Sequence, residues 1–358
     1  MLRIPMKHLE AVKNVKTAAD LRQHLQAALQ VEHAGIPPYL TAMFSIRRGT
    51  NAEIQNILGG IVLDEMLHMA IVANVLNAVG GKPTLNSPEF VPEYPGRLPL
   101  DIQAHLEIGL KRLSMPLVRD VFMEIEEPEG PEDFPVRRSE AATVLPPFAT
   151  IGQFYQAMIH KIRELGEGIF TGNPDRQFID PVSFPERDLF AINGVESATR
   201  ALRIIIDQGE GSPRQPISPD GEVAHYYRLA QIVHGRALVR TQDPPGYAYA
   251  GDQILLDSAN IIDLVENSKA SQYAVGSVAR RKVDDFNRAY TEMLHMLHET
   301  FNGAAGRIND AIELMLRLTG LAREITEIDV GGGRRAAPSF EYVAELFSPP
   351  LHGPATRD

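Results

Sequence analysis

The chain contains no cysteine and no tryptophan. The lack of cysteine excludes disulfides, thiolate-held iron–sulfur clusters or haem, and a cysteine nucleophile. Any metal must therefore be held by oxygen and nitrogen. Positive charge is also in short supply. There are 35 Lys and Arg against 46 Asp and Glu, a net charge of −11, which argues against a nucleic-acid or anionic-membrane partner. No segment reaches the ~18–20 unbroken apolar residues of a membrane span. The opening MLRIPMKHLE lacks the apolar run and small-residue cleavage site of a secretory signal. The expectation is a cytoplasmic protein. A length of 358 residues suits one helical core with large insertions and a C-terminal extension.

What the chain does have is helical periodicity. Thr17 reads as an N-cap for a helix to Ala34, with Leu21, Leu25, Ala28, Leu29 and Glu32 on one stripe. Pro37-Pro38 predict a kink or break one turn later. From Asn51 to Val79 the stripe Ile54, Leu58, Ile61, Glu65, His68, Val72, Val75, Val79 alternates steps of four and three, and Gly80-Gly81 stops it. Further helices are expected at about 101–113, 154–169, 187–209, 221–236, 277–301 and 305–324. The stretch 82–100 reads as loop. So does the acidic, proline-bearing run 124–147, taken as a solvated excursion.

Two pairs stand out, Glu65/His68 and Glu222/His225. Residues three apart project from one side of a helix. Two Glu-x-x-His helices plus one Glu from each of two others form the ligand set of a carboxylate-bridged di-iron bundle. Burying Glu65 unpaired in an apolar stripe would cost several kcal/mol, so a cation must face it. That cation is either a metal or an Arg or Lys from another helix. Glu292/His295 has the same spacing but reads as polar surface beside Arg288 and Glu299.

Glu32 lies 17 residues before Gly49, and Glu65 and His68 lie 16 and 19 after it, so the three share a height in an antiparallel hairpin. For the fourth carboxylate the candidates are Glu210 and Glu196. Glu196 sits roughly 15 Å too far from the turn, which favours Glu210. Asp64 reads as exposed, Tyr39 as core, and His33 as surface or metal-supporting.

The runs Leu29-Gln-Val-Glu-His-Ala-Gly-Ile-Pro-Pro-Tyr39, Asp64-Glu-Met-Leu-His68, Gln208-Gly-Glu-Gly211 and His225-Tyr-Tyr227 resemble the iminophenyl-pyruvate dimer synthase domain of violacein-type biosynthesis. The resemblance covers about 17–240, and is weaker in the C-terminal helices and in Pro338-Ser-Phe-Glu-Tyr342. It implies an all-α, ferritin-like four-helix bundle with long loop insertions and additional C-terminal helices. The bundle would span 17–240, and 241–358 would pack on it. Glu32, Glu65, His68, Glu210 and His225 match the family's acidic and histidine positions, and Glu222 completes the set by spacing.

The expected function is a non-haem oxidoreductase with two irons per chain, or manganese in part. It would use dioxygen or peroxide to oxidise or couple an amino-acid-derived imine or 2-oxo acid in secondary metabolism, perhaps as a homo-oligomer. The alternatives are a metal-binding protein without catalysis, a di-iron oxygenase or N-oxygenase acting on a single substrate molecule, and a bundle whose Glu and His residues form only buried ion pairs.

Overall fold

The computed structural model describes residues 4–102, 105–128, 148–209, 216–218 and 221–346. It is overwhelmingly helical. Helix α1 (Met6–Lys13) leads into two long helices, α2 (Ala18–Phe44) and α3 (Ala52–Ala78), which pack along each other as a hairpin. Thr17 caps α2 in a reciprocal box. Its hydroxyl accepts from the Asp20 amide at 3.2 Å, and its own amide donates to Asp20 at 3.0 Å.

Helix α2 does not break at Pro37-Pro38. Pro38 has no N–H for the carbonyl of Ala34, four residues back. That carbonyl instead accepts the buried Tyr94 hydroxyl at 2.7 Å, so the missing bond is replaced from outside the helix.

Helix α3 is the only described helix long and apolar enough to cross a membrane by length and composition, yet it is the central core helix. It touches α2 on one side, and α6 (Val195–Gly209) and α7 (His225–His234) on others. Its polar residues are pins. Asn74 exchanges two 2.7 Å bonds with the backbone of Phe178, and Asn77 donates to the Phe301 carbonyl at 2.6 Å.

Between α3 and α6 lie two further helices. The expected helix at 101–113 is absent, because that stretch runs largely extended. The helix falls instead at 115–125 (α4), begun by a Ser114 cap. It is built from Met115–Leu117, a π-turn at Val118–Phe122, and Met123–Ile125. Helix α5 (Ile151–Leu165) packs on α6 and α1. Past α7, a two-stranded antiparallel hairpin, β3 (Arg236–Arg240) with β4 (Tyr247–Gln253), occupies part of the 240–276 region. A second short pairing joins β1 (Ile4–Pro5) to β2 (Phe148–Ala149). Helices α8 (Val278–Thr300) and α9 (Ile308–Thr326) pair with each other, and Phe286, Tyr290, Leu294 and Leu318 join the same apolar core as α2 and α3.

Candidate metal centre

Four helices and one helix end converge on a buried acidic cluster. Helix α2 supplies Glu32, and α3 supplies Glu65 and His68, as the apolar stripes required. Helix α7 supplies His225 from its first residue. The C-terminal end of α4 supplies Glu126. All five side chains are buried. The ligand atoms of Glu32, Glu65 and His68 lie within 4.8 Å of one another, as do those of Glu65, Glu126 and His225.

Glu65 belongs to both groups. Its Oε1 lies 3.2 Å from Nδ1 of His225, and its Oε2 lies 3.9 Å from Nδ1 of His68. The outer carboxylates complete each half. Glu32 Oε2 is 3.3 Å from Nδ1 of His68, and Glu126 Oε2 is 3.4 Å from Nδ1 of His225. Both histidines therefore turn Nδ1 inward and Nε2 outward. Nε2 of His68 faces Gln208 Oε1 at 3.1 Å, and Nε2 of His225 faces Asp64 Oδ2 at 3.3 Å. Asp64, read from sequence as exposed, is clamped by Arg228 at 2.8 Å.

Two buried tyrosines orient the outer carboxylates. Tyr39 donates to Glu126 Oε1 at 2.5 Å, and Tyr155 donates to Glu32 Oε1. Burial raises both phenols well above the ordinary tyrosine range.

The electrostatics suit a missing cation. Burial, reinforced by the neighbouring Glu32 and Glu126 charges, pushes the Glu65 carboxyl up to about 8. Burial would lower His68 and His225, but the carboxylates around them outweigh it and raise both. Burial likewise opposes ionisation of Glu32, yet its bond to His68 draws it below the ordinary value.

Among the described residues, only histidines form ion pairs with Glu32, Glu65 and Glu126, and no Arg or Lys does. Nδ1 of His225 makes no hydrogen bond of acceptable geometry although two carboxylate oxygens lie within 3.4 Å. Nitrogen and oxygen donors that converge on a common point without bonding each other fit a divalent metal of the zinc, iron or manganese type. A cavity of about 50 Å³ opens beside them, lined by Glu32, Glu65, His68 and Glu126 together with Ile125, Ile205 and Gly209.

The remaining sequence candidates divide. Glu222 does not reach the cluster. Helix α7 starts only at His225, so the Glu-x-x-His spacing has no helix beneath it. Glu222 is exposed, with its carboxylate 3.5 Å from Arg228. Glu196 is exposed in the first turn of α6, far from the end that carries Gln208. Glu210 lies outside the described residues, directly after Gly209, which lines the cavity. Glu292 and His295 stay away from the centre. Glu292 faces Arg317 at 3.8 Å, and His295 bonds Tyr342 at 2.8 Å. Glu126 was absorbed into the acidic loop run. The only sequence signal for it was the apolar pattern Leu117, Val118, Phe122, Ile125 immediately before it.

Fold and cluster together define a carboxylate-and-histidine helical bundle. The chain belongs to the ferritin-like family, whose pattern matches residues 25–234. It is 26% identical to dichlorochromopyrrolate synthase of Lentzea aerocolonigenes across 94% of its own length, and spans 37% of that longer relative. It also resembles a solved ferritin-like protein from Caulobacter vibrioides. That likeness has 25% identity and a TM-score of 0.62, and covers 92% of this chain and 99% of the other.

Proposed function

We propose that this protein is a non-haem di-metal oxidoreductase that uses dioxygen or peroxide to oxidise or couple an amino-acid-derived imine or 2-oxo acid. The observation that carries the reading is Glu65, one carboxylate with an oxygen turned to each of two histidines. Glu32 and His68 would hold one metal, Glu126 and His225 the other, with Glu65 between them. Bound iron, or manganese, supplies the electrons that the oxidant accepts.

The chain's own groups do the rest. Tyr155 and Tyr39 fix the outer carboxylates by donating to their Oε1 atoms. Gln208 and Asp64 accept from Nε2 of the two histidines and leave Nδ1 as the lone-pair donor. Val31, Leu98, Ile125, Ile151 and Ile205 give the cavity apolar walls that limit water near the reacting atoms. A relative named as a synthase supports an enzyme rather than a storage protein.

The test is metal content after growth in iron-supplemented medium, with optical spectra recorded before and after reduction and exposure to oxygen. About two irons per chain with an oxygen-dependent absorbance change is the expected result. Oxygen uptake that depends on an added aromatic 2-oxo acid and ammonia, as a source of the imine, would support the substrate class. No metal above background, even after anaerobic reconstitution with iron and manganese, would overturn the reading.

A further inference from the structure

The two halves of the cluster look alike at their inward faces and differ at their backs. Behind His68 stands an uncharged amide, Gln208, 3.1 Å from Nε2. Behind His225 stands a carboxylate, Asp64, 3.3 Å from Nε2. Asp64 is not loosely placed. The Arg228 guanidinium lies 2.8 Å away on the same oxygen, Oδ2, and Arg228 is in turn held by the Val223 carbonyl and faced by Glu222 at 3.5 Å. Asp64 and Arg228 are mostly shielded from water, and His225 is fully buried.

A carboxylate that accepts from the outer N–H of an imidazole fixes the tautomer and makes the inner nitrogen a stronger donor to a metal. Losing such a partner typically costs about 10- to 100-fold in metal affinity. A neutral amide fixes the tautomer with less polarisation. Arg228 keeps the added negative charge compensated, so the charged acceptor can sit beside three further carboxylates without forcing the cluster apart.

We propose that the two metal positions are unequal, with the Glu65–Glu126–His225 position filling first and holding its ion more tightly because Asp64, clamped by Arg228, backs His225 while only Gln208 backs His68. Asp64 and Arg228 are thus positioning residues that act through His225. Glu222 touches no ligand and steadies the outer edge of the guanidinium.

The inference rests on the di-metal reading above, and one set of titrations separates the two. The metal-free full-length protein is titrated anaerobically with Mn(II) and, separately, with Co(II), using calorimetry and the cobalt visible spectrum. The wild type should bind in two resolved steps. Asp64→Asn should weaken the first step about 10- to 100-fold and leave the second in place, so that the steps merge. Gln208→Glu should merge them from the other side by strengthening the second step. Glu126→Ala should remove the tight step and keep the weak one.

Two equal steps in the wild type would overturn the proposal while leaving the di-metal reading intact. So would an unchanged tight step in Asp64→Asn, or equal weakening of both steps. Absence of any binding by the wild type would overturn both. Because Gln208→Glu adds affinity rather than removing it, its result does not depend on a variant that simply fails to fold.

Discussion

Oε1 of Glu65 lies 3.2 Å from Nδ1 of His225, while the second oxygen of the same carboxylate faces His68. No other side chain of the cluster reaches both histidines among the described residues. Glu65→Ala should therefore abolish binding at both metal positions. Glu32→Ala and Glu126→Ala should each lower the stoichiometry by about one metal. Plasma mass spectrometry of the purified variants checks this, and equal metal loss in all three would contradict the shared role of Glu65.

Glu210 and Glu196 can be separated the same way. The first turn of α6 lies about 18 Å from Gln208 along the helix. Glu196→Ala should leave metal content at the wild-type level, and Glu210→Ala should reduce it. A reduced content in Glu196→Ala alone would reverse the assignment.

Metal uptake should release protons. Without metal, Glu65 stays protonated up to about 8, and His68 and His225 are held above their ordinary values. A metal arriving at neutral pH must displace those protons, so affinity should rise with pH and level off above about 8. Calorimetry in buffers of different ionisation enthalpy reads the number released. An apparent enthalpy independent of buffer would contradict it.

His33 sets a different pH dependence, on stability. Burial lowers it from 6.5 to about 3, with Nε2 on the Tyr290 hydroxyl at 2.9 Å. Between those two values the unfolded chain holds a proton that the native chain does not, so stability is lost as pH falls through 6.5 and the loss is complete near 3. At pH 5 the contribution is about 2 kcal/mol. The double variant His33→Phe, Tyr290→Phe removes this group without stranding the hydroxyl. Its melting temperature should fall less between pH 7 and pH 5 than that of the wild type. Parallel curves would rule the mechanism out.

The Tyr94 bond to Ala34 should matter because of Pro38. Tyr94→Phe leaves a buried carbonyl unmet, at a cost of about 1–3 kcal/mol. With Pro38→Ala, the new N–H can reach the same carbonyl, so the Tyr94→Phe penalty should shrink. A double-mutant cycle by denaturant melts measures the coupling, and strict additivity would show that the two act separately.

The α2–α3 half of the centre was legible because its ligands interrupt a regular apolar stripe. Position along two long helices then placed Glu32, Glu65 and His68 together. The other half was not. Glu222 and His225 have the right spacing, but the chain enters helix only at His225, and spacing has meaning only within a helix. Glu126 follows a short helix and precedes acidic and proline-rich sequence, so its burial comes from tertiary packing against α7. Asp64 adjoins Glu65, and its neighbours on α7 are more than 150 residues away in sequence. The Pro37-Pro38 reading failed for a similar reason. The group that replaces the lost bond comes from Tyr94, in a loop with no periodic signal.

The π-turn at Val118–Phe122 has a consequence for inheritance. A widened turn accommodates one residue more than regular α-helix does, and such turns recur at functional sites. Losing one codon here would restore an ordinary helix at no obvious cost in folding, yet rotate everything after it by about 100°. Glu126 would then swing away from His225. Descendants of this gene can vary freely in the letters of that turn, but not in its length.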